Sequence, residues 1–114
     1  MPYLKIQSNQ AIESEKATRL IQQASKLVAE KLGKPERYVM VALDPQTPMV
    51  FAGNDAPLVF MELKSIGLNE SQTPPLSEAL CSLMHDMLSV DSDRVYIEFA
   101  DAPRKMWGWN NSTF

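Results

Sequence analysis

Pro2, Leu4 and Ile6 alternate with Tyr3, Lys5 and Gln7, the period of two that marks a half-buried strand. From Ser14 the period changes. Ala17, Leu20, Ile21, Ala24, Leu27, Val28 and Leu32 fall on one face of a helix, for which Ser14 is the expected N-cap. Gly33 stands where a helix C′ glycine belongs, and Pro35 forbids continuation. Val39, Val41 and Leu43 then alternate as a second strand, with a turn over Asp44 to Pro48. Met49-Val50-Phe51 reads as a short strand, followed by a turn at Gly53-Asn54-Asp55.

The same plan recurs in the second half. A long strand is expected from Leu58 to Ile66. A loop over Asn69 to Thr73 leads into a helix capped by Thr73, with Pro74 at its first position. Leu76, Ala79, Leu80, Leu83 and Met87 form its apolar stripe. Val95 to Ala100 reads as the last long strand, and a short strand is expected around Trp107-Gly108-Trp109. Leu32 to Val39 resembles Leu88 to Tyr96 with one inserted residue. Arg37 and Arg94 lie 94 − 37 = 57 positions apart, half of the 114 residues, and Leu4-Lys5 echoes Leu63-Lys64.

Two β-α-β units with right-handed crossovers predict an α+β fold: a four-stranded mixed sheet with both helices on one face, in a single domain over residues 1–114. The second face then lacks a cover, and assembly of several copies through their sheets is the simplest way to bury it. The two short segments are candidates to pair with a neighbour's sheet edge.

Composition narrows the function. Hydrophobic residues make up 45% and charged residues 22%, as in a folded globular chain. A net charge of −3 and no basic run longer than Arg104-Lys105 argue against nucleic acid as a partner. One cysteine, Cys81, excludes an internal disulfide, and the single histidine, His85, has no second ligand of its kind, so no metal is expected. With no signal segment and no apolar run long enough to span a bilayer, the expectation is a cytoplasmic protein that does not engage membranes; secretion would need an unconventional route.

Pro2 carries the sharpest chemical possibility. Removal of Met1 would leave a secondary amine fixed at the end of a sheet. Burial or a nearby cation would keep it neutral and make it a general base or nucleophile. With Met1 in place, Pro2 is a tertiary amide with no basic lone pair.

Met1-Pro2, Gly33-Lys34-Pro35, Ser65-Ile66-Gly67, Asp93-Arg94-Val95-Tyr96-Ile97 and the terminal Gly108-Trp109-Asn110-Asn111-Ser112-Thr113-Phe114 occur in this order along the whole chain. In these residues the chain resembles the macrophage migration inhibitory factor family of the tautomerase superfamily. The resemblance implies a homotrimer with sites between subunits and a cofactor-free keto–enol tautomerase acting on 2-oxo acids such as phenylpyruvate, with dopachrome derivatives as further substrates. Pro2 matches the base, Lys34 the cation that binds the substrate carboxylate, Ile66 a backbone contact to substrate, and Tyr96 a tyrosine from the neighbouring subunit. Tyr38, Trp109 and Phe114 match aromatic positions at the pocket rim.

The chain also departs from the family. Glu98 stands where animal members have asparagine, on the strand face of Tyr96. A carboxylate about 6 Å from an anionic substrate costs roughly 3 kcal/mol at an effective dielectric near 20, unless Arg104 or Lys105 pairs with it. Trp107 replaces a smaller residue at the pocket mouth and narrows it. Tyr3 replaces a methionine. Leu58-Val59-Phe60-Met61 holds the place of a thiol motif found in some vertebrate members, so thiol oxidoreductase activity is not expected. Some animal members act as extracellular cytokines, which sets a signalling protein with its own receptor beside the enzyme as the alternative. Dehalogenation of an unsaturated acid, with Glu98 activating water, ranks below both.

Overall fold

The computed structural model describes residues 1–114. Six strands and two helices follow one another as β1 (Tyr3–Ser8), α1 (Ser14–Leu32), β2 (Met40–Asp44), β3 (Val59–Ile66), α2 (Thr73–Leu88), β4 (Val95–Ala102), β5 (Gly108–Trp109) and β6 (Ser112–Thr113). The main sheet has the order β2-β1-β3-β4. β1 runs parallel to β2 and antiparallel to β3, and β3 runs parallel to β4. The α+β architecture with a four-stranded mixed sheet and two helices is the one the alternating periods predict.

The helices cover one face of this sheet. Leu4 and Ile6 of β1 and Val59, Met61 and Leu63 of β3 are buried with Leu20, Ala24 and Val28 of α1 and Leu76, Leu80 and Met84 of α2. The odd residues of β3 therefore face the helices. Their partners Phe60, Glu62 and Lys64 line up with Gln7, Lys5 and Tyr3 on the open face. Ala29 and Met84 join the core beyond the predicted stripes, whereas Ala79 and Met87 are only half-buried.

Some local expectations are corrected. The N-cap of α1 is Glu13 rather than Ser14, because the Glu13 carbonyl accepts the first helical bond from Ala17 N at 2.8 Å. Thr73 is likewise the first residue of α2 rather than its cap. The preceding 3-10 turn, Glu70–Gln72, is closed by a capping box between Asn69 and Gln72, and the Thr73 hydroxyl donates to the Glu70 carbonyl at 2.9 Å. Met49-Val50-Phe51 forms no strand. Phe51 and Asn54 exchange two backbone bonds around Ala52 and Gly53, both at positive φ, which closes a tight turn. The terminal Gly108–Trp109 pairs with Ser112–Thr113 within its own chain, around Asn110 and Asn111 at positive φ. β4 extends two residues past Ala100, because Asp101 and Ala102 stay in register with Ser65 and Ile66.

Arg94 ties the Phe51 turn to the sheet. Its guanidinium donates to the carbonyls of Phe51 at 2.9 Å, Ala56 at 2.9 Å, Pro57 at 3.2 Å and Asn54 at 3.3 Å. Bonds from a cation to backbone carbonyls stabilise individually by more than neutral ones, discounted here for partial exposure. Arg94→Ala is expected to cost about 2 kcal/mol by urea unfolding and to leave the turn open to proteolysis. A loss under 0.5 kcal/mol would show that the clamp is redundant.

Candidate active site

The chain enters the sheet through Pro2, whose ring is buried and whose carbonyl accepts Met40 N–H at 3.0 Å. This bond holds residue 2 at the end of β1, beside the start of β2. Over it lies a cavity of about 520 Å³ lined by Met1, Pro2, Tyr3, Arg37, Tyr38, Val39, Met40, Lys64, Trp107, Gly108, Trp109 and Phe114. The size suits a small ligand.

Three rings build one wall. Trp109 and Phe114 stack with centroids 5.2 Å apart, and Tyr38 meets both edge-on, at 5.6 and 5.8 Å. The tight β5–β6 turn makes this possible by folding Phe114 back on Trp109. Phe114 N–H donates to the Trp107 carbonyl at 3.2 Å, which sets Trp107 into the same wall.

Lys34 reaches the site because α1 ends with Gly33 at φ 63°, a conformation open to glycine, after which Lys34 N–H bonds back to the Ala29 carbonyl at 3.0 Å. The Lys34 side chain stands beside the cavity rather than in its lining. Its charge is felt there: the terminal amine, on Met1, has its pKa lowered from the ordinary 8.0, first by burial and second by the Lys34 ammonium. Both causes favour the neutral amine.

Ile66 is buried at the last position of β3, two residues past Lys64, which pairs with Tyr3. It therefore lies at the Pro2 end of the sheet, outside the cavity lining. Tyr96 and Glu98 are elsewhere. Tyr96 is in register with Phe60, and Phe60 with Gln7, at the other end of β1. Five residues along one strand and two strands across put Tyr96 about 19 Å from Pro2. There it packs on Phe51 with centroids 4.6 Å apart, in a second apolar cleft of about 300 Å³. One chain thus gathers Pro2, Tyr38, Trp107, Trp109 and Phe114 with Lys34 beside them, and does not bring Tyr96 or Glu98 to them.

Sequence reasoning left Arg37, Met40 and Lys64 out of the site. Arg37 adjoins Tyr38, and its position was visible in the repeat. Lys64 becomes a neighbour of Pro2 only through the antiparallel register of β1 and β3, which no local pattern reveals. His85 is exposed at 3.6 Å from Asp86, on the solvent side of α2. Cys81 is half-buried against the core. No helix is long and apolar enough to cross a membrane.

The sequence pattern described as macrophage migration inhibitory factor (MIF) matches residues 1–114. A macrophage migration inhibitory factor homolog of Brugia malayi is 36% identical over 119 residues, covering 100% of this chain and 99% of the relative. The crystal structure of the homologue from Prochlorococcus marinus superposes with a TM-score of 0.93 at 43% identity, covering 98% of both chains. The Toxoplasma gondii factor superposes at 0.92 with 32% identity, covering 98% of this chain and 99% of that one. Buried proline, aromatic wall and helix-end lysine thus occur on a fold shared along its whole length, and the chain belongs to the macrophage migration inhibitory factor family.

Proposed function

We propose that the chain is a cofactor-independent keto–enol tautomerase of aryl 2-oxo acids such as phenylpyruvate, folded as one domain over residues 1–114, with Pro2 as the base once Met1 is removed. The observation that carries this reading is the buried Pro2 ring in the lining of an aromatic cavity, beside a Met1 amine whose pKa is lowered by burial and by Lys34. The Pro2 nitrogen takes a proton from the carbon next to the ketone. The electron pair of the broken C–H bond moves into the new C=C bond, the C=O π pair moves to oxygen, and Pro2 returns its proton there, which gives the enol and leaves the base neutral again. Lys34 holds the carboxylate, and the Tyr38–Trp109–Phe114 wall takes the aromatic ring.

Tyr96 completes the site from a neighbouring copy in a homotrimer. A row of Lys5, Glu62 and Glu98 crosses the sheet face that no helix covers, and packing of copies over that face buries it. Glu98 stands two residues from Tyr96 on the same face, so it arrives with Tyr96 and opposes the substrate's charge. Ile66 offers its backbone at the Pro2 end of the sheet.

Phenylpyruvate tautomerisation by protein whose mass confirms loss of Met1 tests the reading. The base works only unprotonated, so a lowered pKa brings kcat/KM to its plateau at lower pH. The midpoint is expected below the ordinary α-amino value. Lys34→Ala removes one of the two causes and is expected to move the midpoint upward while raising KM. Absence of turnover in correctly processed protein would sink the reading and favour a cytokine-like protein that acts through a receptor.

A further inference from the structure

Arg37 and Arg94 each lie in a 3-10 turn before an edge strand, Arg37 as the second residue of its turn and Arg94 as the third. Arg94 spends its donors on four loop carbonyls. Arg37 does not. No hydrogen bond within the chain engages its guanidinium, and no aspartate or glutamate lies within salt-bridge distance of it; the one such contact in the protein is between His85 and Asp86. The Arg37 group instead lies 4.8 Å over the ring of Tyr38, at the cavity mouth. Stacking on an aromatic face leaves the edge of a guanidinium, with its paired donors, free to grip a planar anion.

The charge around the cavity is one-sided. Acidic residues outnumber Lys and Arg by 14 to 11 in the chain, yet no aspartate or glutamate lines the cavity, whereas Arg37 and Lys64 do. Lys34 stands beside it. Glu98 from a neighbouring copy and the carboxylate of Phe114 would set two negative charges against these three positive side chains. A substrate with a single carboxylate matches Lys34 and leaves Arg37, over the ring of Tyr38, without a counterpart.

We propose that the preferred substrates are dianions: aryl 2-oxo acids carrying a second carboxylate or comparable anion at the ring end remote from the ketone, gripped by Arg37. The inference deepens the tautomerase reading and rests on it for the orientation of the substrate, with the ketone at Pro2 and the ring tail at Tyr38.

The test compares phenylpyruvate with 4-carboxyphenylpyruvate on the processed full chain, and binding of the inert pair phenylacetate and 4-carboxyphenylacetate by calorimetry. The dianion is expected to show at least tenfold higher kcat/KM, through KM, and tenfold tighter binding. Added salt should erode the preference. Arg37→Gln should lower the dianion-to-monoanion ratio at least fivefold, and Arg37→Lys should restore part of it. A ratio near one in the unaltered protein, or a ratio unmoved by Arg37→Gln, overturns the proposal. Turnover of phenylpyruvate with no dianion preference would remove the Arg37 role alone. Absence of turnover with a dianion binding preference that Arg37→Gln abolishes would remove the tautomerase reading and support Arg37 as the anion grip.

Discussion

Protein that keeps Met1 is expected to turn phenylpyruvate over about a hundred- to ten-thousandfold more slowly than protein that begins at Pro2, the range a positioned general base contributes. Two effects combine. The nitrogen of residue 2 becomes an amide, whose lone pair is delocalised into the carbonyl and takes no proton near neutral pH. The side chain of Met1 also lines the cavity and occupies space meant for substrate. The Met1 amine is itself partly desolvated and low in pKa, but it sits one residue, about 3.8 Å, further along the chain. That offset is enough to spoil alignment with a bound C–H bond. Pro2→Gly restores a primary amine at the right place, though on a looser backbone. It should lose less than the blocked protein. Equal rates for mass-verified samples with and without Met1 would show that residue 2 is not the base.

Leu63→Ala should cost about 3–4 kcal/mol, a large share of the 5–15 kcal/mol by which domains are stable. Leu63 is fully buried on β3, a central strand, between Leu4 on one side and Phe99 on the other. Strands paired on both edges and helices packed above leave little room to collapse around the missing carbons. Thermal unfolding at fixed protein concentration should show Tm falling by roughly 10 °C or more. Leu63→Met, similar in volume, should cost less than about 1.5 kcal/mol. A loss below 1 kcal/mol for Leu63→Ala would mean that the core relaxes into the gap.

Much of this was written locally. Alternation at Leu4 and Ile6 and helical spacing from Leu20 to Leu32 report burial on one side, and burial is what those periods measure. Helix starts were misjudged by one residue because a cap is defined by whose carbonyl accepts the first bond. Ser14 has the favoured side chain, but Glu13 has the carbonyl. Met84 was missed because α2 buries a wider arc than one stripe. The site was legible where it is local: Lys34 after Gly33, and Tyr38 four residues further on. It was illegible where it depends on register, as for Lys64, and on stacking at the mouth, as for Arg37. The 19 Å between Pro2 and Tyr96 follows from pairing across three strands, which periodicity does not encode.

The strand registers give the sheet an approximate twofold axis between β1 and β3. The turns before β2 and β4 match Met40 with Tyr96, whose partners Tyr3 and Phe60 match in turn, so Lys5 corresponds to Glu62 and is paired with it. A strand that meets its own counterpart at equal positions does so about a twofold axis, the contact by which two identical chains form a closed dimer. The seam at the centre of this sheet thus has the form of a twofold contact, made here between the two halves of one chain. The symmetry is broken where the edge strands begin: Arg94 clamps a loop, and Tyr38, its counterpart in the other half, joins the wall of the pocket.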